Sequence, residues 1–248
     1  MRIFKADFHV HTVLSPCASL EMAPVRIIEK AVAEKIDILA ITDHNSTLHC
    51  KLMCELGKEA GIKVLPAVEI TTSEEVHCLA FFETVETANE FQHVIEQYKP
   101  DIPNRKEIFG NQPVVDKEEN ILYEVDWLLI SALRLTLGEA VNTVTSMNGI
   151  FVPAHINRTS NSILANLGFI PDSLKINAVE ISKNCDVGIY LAKLPEINKY
   201  TVIRGSDAHC IEDIGTGFTE LHMKNVDFGE IKMALAGEAG RKAIVCKK

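Results

Sequence analysis

The sequence predicts an α/β protein, a mainly parallel sheet with helical crossovers, and three observations predict it. Short β-branched apolar runs alternate with longer segments of helical period. The 248 residues are enough for one barrel-sized domain, and no linker marks a second. The chemically active side chains fall where the apolar runs stop, and in parallel β/α folds those ends converge on one rim.

In chain order, Ile3 to His9 reads as a strand, and Met22 to Glu34 as an amphipathic helix with Pro24 in its first turn. Asp37 to Thr42 is a buried strand, followed by a helix from Ser46 to Ala60 that Gly61 stops. Ile62 to Ile70 and His77 to Glu83 are strands, and Glu86 to Tyr98 is helical. Ile150 to Ala154, Ala178 to Ile181 and Thr201 to Arg204 are short strands, and Phe228 to Ala236 is the last helix. Between them, residues 99–129 break the rhythm with Pro100, Pro103, Gly110 and Pro113, then a hairpin pattern with a polar turn. This irregular insertion is either a structural connection or a lid over the strand ends.

Composition narrows the function. With 25 basic and 34 acidic side chains the formal charge is −9, which argues against extended nucleic acid while allowing a small phosphorylated substrate. No apolar run is long enough for a membrane helix, and no signal-peptide core opens the chain, so the expected location is the cytoplasm. Seven scattered cysteines fit a reduced chain rather than a disulfide framework. Gly-rich phosphate loops are absent, so no nucleotide cofactor is expected. The sequence carries no signal of oligomeric state.

The candidate site residues punctuate the strands. His9 and His11 close the first, on the same side of an extended backbone. Asp43-His44 closes the second, Glu69 the third, and His77 opens the fourth. His155 follows the strand at 150, and Asp207-Ala208-His209 follows the one at 201. Any one histidine is more often structural than a ligand. Two alternate-residue pairs, a DH pair, a glutamate and another histidine at successive strand ends together point to divalent metals.

These motifs, His9-x-His11, Thr42-Asp43-His44, Glu69, His77, Ala154-His155 and Gly205-Ser206-Asp207-Ala208-His209, resemble those of the PHP (polymerase and histidinol phosphatase) superfamily. The match runs from Lys5 to His209 with the motifs in the family's order. The resemblance implies a distorted (β/α)7 barrel with two or three divalent ions (Zn, Fe or Mn) at the strand C-termini, and phosphoester hydrolysis by a hydroxide held between ions. It implies one ion on His9, His11, Glu69 and Asp207, with Glu69 bridging to a second on His77 and His155. A third would use His44, His209 and a residue soon after the first motif. There this chain departs, offering Pro16 and then Cys17 where the family commonly has Asp or His. Cys17 is the candidate ligand, the alternative being a buried thiol and a two-metal site.

Asp207, His209 and Arg158 are the candidate catalytic residues. Arg158 is the candidate cation for phosphoryl oxygens, in AHINR where the family usually has AHPxR, and Lys183 is a weaker one. Asp43 is expected to orient His44, position water or cap the following turn, and Asp7 to support the ligands from behind. His49, His93 and His222 lie outside the pattern and are read as exposed or partly packed. Cys50 and Cys54 are read as packing residues, and Arg134 as a charge on a helix face. The function expected is metal-dependent phosphoester hydrolysis of a small metabolite, nucleotide or short oligonucleotide. The alternatives are a histidinol-phosphatase-like phosphomonoesterase, a non-catalytic metal-binding module of the same fold and, remotely, a hydrolase of C–N bonds.

Overall fold

In the computed structural model, which describes residues 1–245, the first strand β1 (Arg2–Val10) leads through α1 (Pro24–Ala33) to β2 (Ile38–Ile41) and through α2 (Cys50–Ala60) to β3 (Lys63–Thr71). β4 (His77–Phe81) and α3 (Val85–Tyr98) precede the insertion, which holds α4 (Lys106–Phe109), β5 (Pro113–Val115) and β6 (Ile121–Glu124). Then come α5 (Leu137–Ser146), β7 (Ile150–Pro153), α6 (Ile163–Leu167), β8 (Ala178–Ile181), α7 (Val187–Lys193) and β9 (Thr201–Arg204). β10 (Thr219–Met223), α8 (Phe228–Ala236) and β11 (Lys242–Ile244) complete the described fold. Strand and helix positions follow the sequence pattern closely. α2, however, starts four residues later than expected, because Thr47 is tied to Gln92 of α3 and the preceding turn stays open.

The main sheet has seven strands in the order β11-β10-β1-β2-β3-β4-β7, beside two-stranded sheets of β5-β6 and β8-β9. The expected mainly parallel arrangement is corrected to a mixed one. β1-β2-β3 and β8-β9 pair in parallel, while β4 runs antiparallel to both β3 and β7. The reason is length: only residues 72–76 separate β3 from β4, too few for a crossover, so the chain must turn back on itself. β10, which no sequence signal announced, pairs antiparallel with β1 along its first half. β8 lies beside β7, and a parallel bridge from Val10 to Ala208 links β1 to the loop after β9, so the sheet curls into a half-barrel.

The barrel interior is filled by alternate residues of these strands. Phe4, Ala6 and Phe8 meet Ile38 and Ala40, Leu65 and Ala67, Leu79 and Phe81, and Val152 and Ala154. Phe8 and Phe81 pack ring to ring, 5.5 Å between centroids. Outside, α1 and α2 cover the sheet with Ile27, Ile28, Ala31 and Met53 against Val10, Leu39 and Ile41. The inward side of β1 therefore changes between Phe8 and Val10. The β1–β2 register shifts between Asp7 and Val10, and such an irregularity re-aims the following side chains. It points His9 and His11 into the barrel mouth.

Among the described residues no helix is long and apolar enough to cross a membrane. The insertion is an ordered piece of structure, a short helix and a hairpin, with Gln112 buried and bonded to the backbone at Val125, Trp127 and Leu129.

Candidate metal centre

The site continues the interior columns of the barrel upward into polar residues. Leu65 and Ala67 are succeeded by Glu69, Ala178 by Glu180, and Ile203 by Gly205 and Asp207. On the antiparallel β4 the same rim is reached at the N-terminal end, so Phe81 and Leu79 lead to His77. The period of two that packs the core thus also aims the ligand candidates. Backbone pairing completes the convergence. His11 N–H donates to Ala208 O at 3.1 Å, Glu69 N–H to Asp43 O at 3.2 Å, and His77 N–H to Asn161 O at 3.1 Å.

Nearly all the predicted site residues meet here, and nearly all are buried. His9 Nε2 stands 3.2 Å from His11 Nε2, 3.4 Å from Glu69 Oε2 and 3.4 Å from Asp207 Oδ1. His11 Nε2 is 3.3 Å from that same Glu69 oxygen and 3.5 Å from that same Asp207 oxygen. An ion with tetrahedral bonds of about 2.1 Å would hold its ligand atoms about 3.4 Å apart, so the two imidazole nitrogens are spaced from each other and from each of the two carboxylates as ligands of one metal are. The other Glu69 oxygen faces His77 Nδ1 at 2.9 Å and His155 Nε2 at 3.1 Å. His44 Nδ1 is 3.2 Å from Glu69 Oε2. Three groups have ligand atoms close enough to share an ion: His9, His11 and Glu69; His44, Glu69 and His77; and His11, His44 and His209.

The donor set fits divalent metal on a second count. The buried His44 Nδ1, which faces Glu69, makes no hydrogen bond, an arrangement that is costly unless a cation takes the lone pair. Charges point the same way. Burial opposes ionisation of Glu69, yet the imidazoles of His77, His9 and His44 outweigh it and hold its carboxyl well below the ordinary value. Asp207 is likewise lowered, burial being overcome by His9 and His11. For His9 burial disfavours the charged form, but Glu180, Glu69 and Asp207 raise its pKa well above the usual range. The carboxylates thus demand positive charge at this spot. Burial, and then the charge of His11, push His209 down to about 4, leaving it neutral near pH 7 as a ligand must be.

Two buried carboxylates fix the tautomers of the first pair. Glu180 lies 3.0 and 3.1 Å from His9 Nδ1 and also accepts the His155 N–H at 2.9 Å. A proton on Nδ1 leaves Nε2 as the free lone pair toward the metal position. Sequence reading missed Glu180, although its place two residues beyond Ala178 in a barrel column was the available signal. Asp43 accepts from Thr12 N–H, Thr12 Oγ1 and Ser15 Oγ, each at 2.7 Å, and the Ser15 hydroxyl stands 3.1 Å from His11 Nδ1. Asp43 therefore supports His11 through the loop after β1, rather than orienting His44 directly. Asp7 accepts backbone N–H groups of Ser206 and Gly215 and ties β1 to the loop bearing Asp207, and burial raises its carboxyl to about 6.

Strain accompanies the site. His155 and Asp207, neither a glycine, have φ of +28° and +51°, a conformation costing about 1–3 kcal/mol that the surrounding contacts must hold. Arg158 is half exposed and pairs with Asp207 at the mouth.

Other expectations turn out differently. Cys17 belongs to none of the three ligand groups. Packing around the sulfur and the charges of Glu69, Asp207 and Asp43 push its thiol up to about 12. Lys183 pairs with Asp213 at 2.7 Å instead of facing the imidazoles. Arg134 sits in a bend, paired with Asp101, and not on a helix. His49, read as exposed or partly packed, is fully buried. Cys50 and Cys54 donate their thiols to backbone oxygens of Ala67 and Val64, as packing residues do.

Known proteins share this fold. The chain superposes over 98% of its length on the lesion-specific endonuclease PfuEndoQ from Pyrococcus furiosus, with TM-score 0.76 and 21% identity, covering 58% of that protein. Endonuclease Q with a 27-mer duplex bearing an abasic lesion at its active site gives TM-score 0.75 at 19% identity, with 97% of this chain and 58% of that one covered. A Bifidobacterium adolescentis protein assigned as a metal-dependent phosphoesterase gives 0.55 at 18% identity, with 82% of this chain and 87% of that one covered. In sequence, the uncharacterized protein YqxK of Bacillus subtilis is 34% identical over 106 residues, 41% of this chain and 27% of that protein. The chain thus spans about a quarter of that relative and rather more than half of endonuclease Q. Residues 7–145, over half the sequence and including His9, His11, His44, Glu69 and His77, match the PHP domain, and the chain belongs to the PHP family.

Proposed function

We propose that this chain is a metal-dependent phosphoesterase that hydrolyses phosphodiester bonds in nucleotides or nucleic-acid strands. The observation that carries the reading is that the His9 and His11 Nε2 atoms meet and each lies within 3.5 Å of both the Glu69 and the Asp207 carboxylate, separations suited to a shared ion. In this reading these four would hold one ion, Glu69, His77 and His155 would serve a second, and His11, His44 and His209 a third. Divalent ions so placed supply Lewis acidity toward phosphoryl oxygens and a water-derived nucleophile near neutral pH.

The protein's own part is positioning. Glu180 and Asp43 hold His9 and His11 in one tautomer, and barrel packing excludes water from below. Arg158 at the mouth is placed to exchange its Asp207 contact for a phosphoryl oxygen, bringing positive charge where it develops. The choice of a diester is supported by the superposition on endonuclease Q, an endonuclease seen with a duplex substrate. The endonuclease Q complex also runs against the expectation, drawn from the charge of −9, that extended nucleic acid is not a partner. Net charge describes the whole chain, whereas a scissile phosphate needs positive charge only at the ions and Arg158.

The test loads the metal-free protein with Mn, Zn or Fe(II) and offers bis-p-nitrophenyl phosphate, p-nitrophenyl phosphate, and labelled single- and double-stranded oligonucleotides. Cleavage of the diesters, abolished by chelation and by His9→Ala, is expected. Hydrolysis of the monoester alone would overturn the diester reading in favour of a phosphomonoesterase. Bound metal without turnover on any substrate would support a non-catalytic metal-binding module.

A further inference from the structure

The insertion at 99–129 reaches the metal centre through one buried imidazole that none of the ligand groups includes. His49, just before α2, accepts the Val115 N–H of β5 at its Nε2, 3.0 Å away, and its Nδ1 lies 2.6 Å from Thr12 Oγ1. The Thr12 hydroxyl donates to Asp43 Oδ2 at 2.7 Å, so its single proton is committed and it must accept from His49. His49 is therefore neutral, with its proton on Nδ1. Asp43 Oδ1 takes the Ser15 hydroxyl proton, which leaves Ser15 Oγ to accept from His11 Nδ1 and from His44 N–H at 3.2 Å. Every donor in this path has one acceptor, and it runs from the hairpin backbone to the side that orients His11. Two further contacts fasten the same segment. Gly110, at φ +93°, lies so close that a Cβ there would stand 2.8 Å from Pro16 O. Asn45, next to His44, donates to Leu129 O and Ser131 O at 2.7 and 2.8 Å.

We propose that His49 is a positioning residue that makes the insertion a working part of the metal centre, holding Thr12 and Asp43 so that His11 presents Nε2 to the ion. The proposal rests on the metal-centre reading above. It gives the insertion a role as a buttress whose docking and metal loading reinforce each other, because both depend on the same chain of protons. A network of this kind behind a metal ligand is typically worth about 10–100-fold in affinity.

Two variants divide the path at His49. His49→Asn puts an amide nitrogen where Nδ1 was, keeping a donor for Thr12 while abandoning Val115. His49→Gln puts its amide where Nε2 was, keeping an acceptor for Val115 while abandoning Thr12. The readouts are Zn and Mn affinity of the full chain by competition with a chromophoric chelator, and acrylamide quenching of Trp127. Trp127 is the chain's one tryptophan and is buried in the insertion. In the wild type, metal should reduce quenching of Trp127. His49→Gln should weaken metal affinity about 10–100-fold with quenching of the apo form unchanged. His49→Asn should retain more of the affinity, expose Trp127, and lose the response of Trp127 to metal. Affinities within twofold of wild type in both variants, with the response of Trp127 intact, would overturn the proposal even if thermal stability fell. A wild type that binds neither ion would instead remove the metal-centre reading, and this proposal with it.

Discussion

Gly205→Ala is the sharpest test of how the fold aims its ligands, because the substituted atom touches no metal position. Gly205 stands in the barrel column between Ile203 and Asp207, and a Cβ there would lie 2.5 Å from His9 Cβ, 2.9 Å from His9 N and 2.8 Å from Glu180 Oε1. Carbon atoms pack at about 3.5–4.0 Å, so the His9 contact is short by roughly 1 Å. Two of the three neighbours belong to β1, whose backbone is held here by Ala208 N–H donating to His9 O and Thr42 N–H donating to Val10 O, so it cannot swing aside as a flexible side-chain end could. Overpacking of this kind costs about 1–3 kcal/mol of stability.

The larger consequence is for geometry. Relief of the clash requires His9 to move by a substantial part of that ångström, or Glu180 to leave His9 Nδ1. Either disturbs an atom set spaced within a few tenths of an ångström of what one ion needs. Displacements of about 1 Å at a reacting centre cost about 100-fold in rate. The assay is metal content by elemental analysis, hydrolysis of bis-p-nitrophenyl phosphate, and the apo-protein melting curve. The expected result is a folded protein with weakened metal binding and turnover lowered about 100-fold or more. Wild-type metal content and turnover in a folded Gly205→Ala protein would refute the reasoning that this column sets the position of His9.

Three further outcomes are expected. Arg158→Ala should keep its metal but raise the inhibition constant of inorganic phosphate about tenfold or more, as loss of a charged hydrogen bond does, and an unchanged constant would place the phosphate clamp elsewhere. Cys17→Ser should leave metal stoichiometry intact, because the His11, His44 and His209 group forms without it; loss of one ion per chain on elemental analysis would show that the thiol does ligate. Away from the site, Arg241 hydrogen-bonds Glu230 and lowers its carboxyl to about 2, below the unfolded value of 4.5. A depressed carboxyl stabilises above the unfolded pKa and loses that contribution as pH falls from 4.5 toward 2. The melting-temperature gap between wild type and Glu230→Gln should therefore be widest near pH 6 and narrow below 4.5, and a gap independent of pH would exclude this linkage.

What the sequence made legible follows from which forces are local. Hydrophobic period and turn residues placed the strands from Ile150 to Arg204 nearly to the residue, and alternate spacing put His9 and His11 together. The direction of β4 was missed because a run of apolar residues reads the same both ways. Only the five-residue link after Thr71 dictates the reversal, which explains why His77 opens its strand yet reaches the same rim as residues that close theirs. β10 carried no distinctive run, and its place is set by pairing with β1, more than 200 residues away in sequence.

The groups that were illegible, Glu180 and His49, share one physical property: each acts on a ligand through a hydrogen bond spanning a long stretch of chain. Glu180 meets His9 across 171 residues, and His49 meets Thr12 across 37. A ligand announces itself at a strand end, where its side chain has no apolar purpose. A buried partner does not, because its identity is set by the unused nitrogen of an imidazole placed elsewhere. The column rule narrows the choice: a carboxylate two positions beyond an inward apolar residue on a barrel strand, as Glu180 follows Ala178, belongs to the rim and must answer a cation or a ring N–H. On that rule the first two histidines implied both carboxylates behind them, since an imidazole offering Nε2 to a metal must place its other proton somewhere, and in this barrel mouth Glu180 and the Asp43–Ser15 pair are what receive it.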